Sequence, residues 1–149
     1  MTTRTAACAC GRLRVTVEGE PVVVTLCHCD FCQKMSGSAF QTGAQFAPEH
    51  VVEISGEERV YNGLVIDGVG VAGSDDIAID YHFCPTCGAN VYRTMDGPFP
   101  MFAVAVGNFV DPGFAAPVVE THTVTRHHWV QPVPGAAQFE TFPTADDQE

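Results

Sequence analysis

The chain has 149 residues, which is enough for one domain with a hydrophobic core and too few for two ordinary domains to be expected. Its formal net charge is −11 and its seven basic residues are scattered, so we expect no nucleic-acid partner, because an acidic surface repels phosphate backbones. We also expect a cytoplasmic protein that binds no membrane, since neither a secretory signal nor an apolar run approaching roughly 20 residues occurs.

Short β-strands separated by Gly, Pro and Asp are predicted along most of the chain. Alternating or β-rich runs mark residues 12–17, 22–26, 39–46, 51–54, 59–61, 77–83, 90–94, 101–106 and 118–124. Only residues 31–36 are typical of a helical turn. The pattern predicts a single all-β domain over residues 1–149, a sheet sandwich or an open barrel-like arrangement, with 145–149 as a frayed polar tail.

The seven cysteines fall into three tight groups, and each group lies at the end of a predicted strand. An odd number argues against a complete set of disulfides, and the clustering argues against scattered core thiols. The groups therefore indicate metal ligation, with zinc as the expected ion.

One pair of groups predicts a closed site. Cys84 and Cys87 are two residues apart around a tight turn that ends at Gly88, which is the form of a zinc knuckle. Cys8 and Cys10 offer the second pair, and four thiolates would close a structural zinc site to water. The alternative is a reduced or disulfide-linked group of four cysteines without metal.

The third group predicts an open site. Cys27, Cys29 and Cys32 lie within six residues, and three ligands with one vacant position are the arrangement of catalytic zinc sites. A substrate thiol that enters the vacancy would lose its proton at neutral pH and become a sulfur nucleophile. We therefore take the same three cysteines as the catalytic residues and as ligands of a second zinc, which need not be fully occupied.

Other interpretations of this third group stay open. The three thiols would also suit a redox or metal-buffering loop, or a zinc site that His28, Asp30 or another side chain completes. Strand alternation would point His28 away from the flanking cysteines. His122 is more typical of a surface or strand position, although its predicted strand could carry it to the site.

Several motifs, in order, resemble the glutathione-dependent formaldehyde-activating enzyme family, which includes centromere protein V. They are Cys8-Ala9-Cys10-Gly11, Cys27-His28-Cys29-Asp30-Phe31-Cys32 with Ser36-Gly37, Phe83-Cys84-Pro85-Thr86-Cys87-Gly88, Glu120-Thr121-His122, Trp129 and Gln138-Phe139. The resemblance implies a tent-like fold of packed antiparallel sheets with zinc-anchored hairpins. It also implies a structural zinc on Cys8, Cys10, Cys84 and Cys87, and a catalytic zinc on the other three cysteines.

The activity implied by the resemblance is the addition of glutathione's thiol to formaldehyde, formally a carbon–sulfur lyase reaction run in reverse. Glutathione is an anion, and the sequence shows no basic cluster that would hold it. The leading hypothesis is therefore an enzyme that adds a small thiol, glutathione or similar, to formaldehyde or a related small electrophile. Its rival is a noncatalytic zinc-binding module that presents a sheet face to a protein partner.

Overall fold

The computed structural model describes residues 1–63, 78–96 and 100–143. In chain order its strands and helix are β1 (Thr3–Ala7), β2 (Arg14–Glu18), β3 (Val23–Cys27), α1 (Asp30–Ser36), β4 (Gln41–Phe46), β5 (Val51–Ser55), β6 (Arg59–Gly63), β7 (Ile79–Phe83), β8 (Asn90–Met95), β9 (Met101–Val104), β10 (Val119–Thr121) and β11 (Ala137–Gln138). Short 3-10 turns cover Pro48–His50, Val106–Phe109 and Thr123–Thr125. The predicted all-β class is confirmed.

Each of the nine predicted strand segments overlaps an observed strand, and the predicted helical turn overlaps α1. Two predicted strands end early, because 3-10 turns follow β9 and β10. β1 and β11 were not predicted. Residue 77 and the predicted tail at 145–149 lie outside the described residues.

The strands form two sheets. The small sheet has the order β1-β2-β5, and the large sheet has the order β11-β10-β3-β4-β9-β8-β7-β6. Described neighbours pair antiparallel except that β10 runs parallel to both β3 and β11. This parallel pairing places Thr121 opposite Cys27, so a distant part of the chain reaches the cysteine loop.

The hydrophobic core lies between the two sheets. Leu13, just before β2, and Val15 and Val17 within it pack with residues such as Phe46 and Val104 of the large sheet, and all five are fully buried. The large sheet therefore has one face in the core. Its other face carries Cys27 and several polar side chains. Among the described residues, no helix has the length and apolarity needed to cross a membrane.

Candidate metal centres

The structure brings the four cysteines of the predicted closed site together. Sγ of Cys10 lies 3.6 Å from Sγ of Cys8 and 3.7 Å from Sγ of Cys84. All four sulfurs, including that of Cys87, lie within 4.8 Å of one another. Tetrahedral zinc with Zn–S bonds of about 2.3 Å would place sulfurs about 3.8 Å apart. The spacing and the sulfur donors therefore fit a zinc ion.

Two tight turns present these thiols. After β1, the backbone turns so that Gly11 N donates to Cys8 O at 3.0 Å, with Gly11 at φ 78°. After β7, Gly88 N donates to Cys84 O at 2.8 Å, and Gly88 has the positive φ of 76° that the knuckle predicts. Glycine removes the steric cost of that conformation, so both cysteine pairs can face a common centre.

The electrostatics of this group favour a bound cation. A backbone N–H at Ala89 and other contacts lower the pKa of Cys87 to about 6. The Arg12 backbone N–H favours the Cys10 thiolate, but burial and the three other thiols outweigh it and raise the pKa of Cys10 to about 11. Four crowded thiols cannot all ionise against one another, whereas a divalent cation would stabilise all four thiolates.

The second cysteine group lies where β3 ends and α1 begins. Cys27 is the last residue of β3, and Cys29 is the N-cap of α1, where its Sγ accepts the Cys32 backbone N–H at 3.3 Å. This contact satisfies one of the free N–H groups of the first helical turn. Cys27 and Cys29 therefore come close together, whereas the predicted ligand Cys32 is not part of the group of donor atoms that lie within 4.8 Å of one another.

Hydrogen bonds among these three thiols shift the pKa values of two of them in opposite directions. Hydrogen bonds with the thiols of Cys29 and Cys32 outweigh burial and lower the pKa of Cys27 to about 3. Hydrogen bonds with Cys27 and Cys29, together with burial, raise the pKa of Cys32. As at the first group, the three thiols would all ionise only beside a cation, so this donor set also fits a thiophilic metal such as zinc.

His122 lies beside the second group. Its Nδ1 is 3.6 Å from Cys27 Sγ, and these two atoms and Cys29 Sγ all lie within 4.8 Å of one another. His122 has the left-handed φ of 55°, where β10 ends and a 3-10 turn begins. The structure thus brings this histidine to the cysteines. The sequence had left this possibility open, because the predicted strand that carries His122 could reach the site.

His28 is held in the interior, on the side of the loop away from these donors. The ring is fully buried, and its Nε2–H donates to Oε1 of Glu120 at 2.8 Å because a carboxylate can only accept. Its backbone carbonyl accepts from Gln33 Nε2 and from Thr125 Oγ1, each at 2.8 Å. The histidine therefore anchors the cysteine loop.

Glu120 is the centre of this anchoring network. The fully buried carboxylate also accepts from the Val133 backbone N–H at 2.7 Å, from Gln138 Nε2 at 2.6 Å and from Arg126 Nη2 at 3.2 Å. Burial alone would raise its pKa, but these bonds and the one from His28 outweigh it and lower the pKa to about 2. We call this set of contacts to the buried carboxylate the Glu120 network.

A cavity of about 110 Å³ opens beside the second cysteine group. Its lining includes the three cysteines as well as Tyr81 and Arg93. Sequence reasoning missed both of these side chains and the Glu120 network. Alternation placed Tyr81 in a strand without indicating a site, and the only signal for the network was the family motif around Glu120 and Gln138.

Comparison with known proteins agrees with this geometry. Residues 3–125 match the family model described as "Glutathione-dependent formaldehyde-activating enzyme". A Rhodobacter sphaeroides protein of known crystal structure superposes with a TM-score of 0.52 and 17% sequence identity, covering 74% of this chain and 90% of that one. At this identity the likeness shows the fold alone. None of the curated proteins compared with the chain matches it.

Proposed function

Because the chain belongs to the glutathione-dependent formaldehyde-activating enzyme family, we propose that it is a zinc-dependent enzyme of the carbon–sulfur lyase type. It adds a small thiol, glutathione or similar, to formaldehyde or a related small electrophile. The observation that carries the proposal is the cluster of Cys27, Cys29 and Cys32 on the wall of a cavity. A sulfur-rich metal site beside a cavity suits a thiol substrate better than a purely structural role.

The reaction conserves atoms and electrons without an oxidant or reductant. The thiol sulfur forms a bond to the carbonyl carbon, and the π electron pair of the C=O bond moves to oxygen. The proton that the thiol releases ends on that oxygen, so the product of formaldehyde is an S-hydroxymethyl thioether. A zinc ion held by the three cysteines supplies the positive charge that keeps a substrate thiol deprotonated at neutral pH.

The chain's own residues have distinct roles in this proposal. Cys27, Cys29 and Cys32 hold the ion, and the Glu120 network holds their loop. Tyr81 is almost fully buried on the cavity wall, and burial raises the pKa of its hydroxyl, which therefore keeps its proton. We assign this hydroxyl as the hydrogen-bond donor to the carbonyl oxygen, where negative charge develops.

The other four cysteines have a structural role in the proposal. Cys8 and Cys84 are buried in the hydrophobic core cluster and Cys10 and Cys87 are exposed, and four sulfur donors would leave no vacant position on a tetrahedral ion. Their zinc would join the end of β1 to the turn between β7 and β8.

Replacing Cys29 by serine should abolish thiol binding and turnover while the protein stays folded. Serine is a good N-cap, so α1 keeps its first hydrogen bond while the metal loses a ligand. In a cobalt-substituted sample, added 2-mercaptoethanol should change the visible spectrum of the wild type but not of the variant. Ethylene glycol, which lacks the thiol, is the control and should change neither spectrum.

Retained thiol response and turnover in folded Cys29→Ser protein would contradict the proposal. So would a wild-type protein whose cobalt spectrum ignores every thiol. Unfolding of the variant would show that the three-cysteine loop is structural, and would make the noncatalytic module the better interpretation.

One observation favours that second candidate function. His122 stands close enough to Cys27 and Cys29 to share a metal ion with them, and a site closed by a protein side chain would resemble a structural zinc centre. Replacing His122 by alanine distinguishes the two functions. The enzyme proposal expects the variant to keep both the cobalt site and its thiol response, with exposed His128→Ala as the matched control. A thiol response that exists only after His122 is removed would mean that the native site is closed.

A further inference from the structure

The cavity beside the cysteines is built on one face of the large sheet. Strand register aligns Tyr81 with Arg93, Arg93 with Ala103, and Ala103 with Gln45, so these four side chains share a face. Cys27 belongs to the same face, through β3 and β4. The cysteine sulfurs and the Arg93 side chain therefore both line one small chamber.

Arg93 is a buried cation in this chamber. It is only 9% exposed, and among the described residues no carboxylate lies within ion-pair distance of its guanidinium. Nor does its side chain donate a hydrogen bond to any other described residue. Arginine is almost never buried without a partner, because desolvating an unpaired charge is costly. Among the described residues, the charge of Arg93 is therefore left to whatever fills the chamber, which favours an anionic ligand there.

The sheet makes room for this side chain. A Cβ placed on Gly43 would lie 2.5 Å from Nη2 of Arg93 and 3.2 Å from its Cζ, so the guanidinium would have to shift if any other residue replaced this glycine. Ala103, the neighbour of Arg93 across the β8–β9 pair, is also small. The guanidinium therefore lies against β4 at Gly43, on the wall of the cavity.

We infer that Arg93 binds the carboxylate of the substrate, and that the substrate class is a thiol that carries a carboxylate. This inference rests on the proposed thiol-activating function. A guanidinium can donate two parallel N–H bonds to one carboxylate, which fixes the direction of the molecule as well as its charge. The thiol end then faces the three cysteines across the chamber.

The size of the chamber narrows the class further. Its 110 Å³ is well below the roughly 300–1,000 Å³ of pockets that enclose drug-sized ligands. A short mercapto acid fits inside, whereas a tripeptide thiol such as glutathione would place one thiol-and-carboxylate portion there and leave the rest outside. The shared chemistry is a thiol and a carboxylate within one short span.

The test compares 3-mercaptopropionate with its methyl ester, which keeps the thiol and loses the charge. Calorimetric titration of the zinc protein should give the acid an affinity at least about 30-fold above that of the ester, as for a desolvated charge pair. Arg93→Met should remove this preference and leave the ester's affinity unchanged. Arg93→Lys keeps the positive charge but not the two parallel N–H donors, so it should retain part of the preference for the acid. Glutathione measured beside them shows whether the longer thiol uses the same arginine.

Three results would overturn the inference: equal affinity of acid and ester for the wild type, no binding of the acid, or equal weakening of both by Arg93→Met. The last would mean that Arg93 acts on the metal site through its charge alone. If Arg93→Met fails to fold, the ratio of acid to ester affinity in the wild type and in Arg93→Lys still tests the inference. The cobalt spectrum separately reports whether the thiol reaches the metal, so failure of the proposed function would be seen independently of the calorimetric preference.

Discussion

Replacing Cys84 by serine should prevent the protein from folding stably. Structural zinc in small domains contributes on the order of 10 kcal/mol of apparent binding free energy, and the net stability of a whole domain is about 5–15 kcal/mol. Cys84 is only 1% exposed and lies in the core cluster, so its loss would remove a ligand and leave a polar hydroxyl in the interior. We therefore expect little soluble protein and no cooperative melting transition.

The measurement is thermal denaturation together with the zinc content of each variant. Cys29→Ser is the matched control, because it also removes one cysteine ligand but should keep a cooperative transition and about one zinc per chain. A Cys84→Ser protein that melts at the wild-type temperature would show that the four-cysteine group is not a structural metal centre.

Much of this fold follows from local pattern. Period-two alternation identifies β2 and β7, since it reports which face of a strand is buried. The same pattern says nothing about which strand pairs with which, so the parallel contact of β10 with β3 could not be predicted. β1 was missed because its sequence, TRTAA, buries only Ala6 and shows no apolar alternation.

The cysteine groups were easier to predict than the side chains around them. Closely spaced cysteine pairs are a local signal that only a few kinds of site explain. The sequence therefore predicted that Cys8, Cys10, Cys84 and Cys87 form one group, and the fold brings them together. An arginine within a strand is usually solvated, and nothing local shows that Gly43 on another strand gives Arg93 its space. The sequence indicated no basic cluster for an anionic thiol, whereas the proposed carboxylate site needs only the one buried guanidinium that lines the chamber.

The Glu120 network holds the cysteine loop in place through His28. Glu120 and His28 come from β10 and from the loop after β3, which the parallel pairing brings together. Arg126 balances the buried negative charge of this carboxylate. The Nδ1 of His28 is buried and has no hydrogen-bond partner among the described residues, so the polar contact of the ring is the one that Nε2 makes with Glu120.

Replacing Glu120 by glutamine should lower the free energy of unfolding by about 3 kcal/mol, because removing one partner of a buried pair costs about 3–5 kcal/mol. The lowered pKa of Glu120 supports a loss of stability of similar size. A fall from 4.5 to about 2 corresponds to about 3 kcal/mol, at about 1.4 kcal/mol for each pKa unit. In a chain of this length the melting temperature should fall by roughly 6–12 °C. The exposed variant Glu140→Gln is the control and should change it little.

The pH dependence gives this prediction a definite sign. The folded-state pKa of Glu120 lies below its unfolded value, so its contribution is fully present above about pH 4.5 and is lost as the pH falls toward 2. Urea denaturation with excess zinc should therefore show a constant difference between wild type and Glu120→Gln from pH 7 to about pH 5.5, and a shrinking one below. Acid also releases zinc, but it does so in both proteins, so their difference isolates Glu120. A difference that is absent at pH 7, or that grows as the pH falls, would mean that Glu120 is not stabilised as a carboxylate by His28, Arg126 and Gln138.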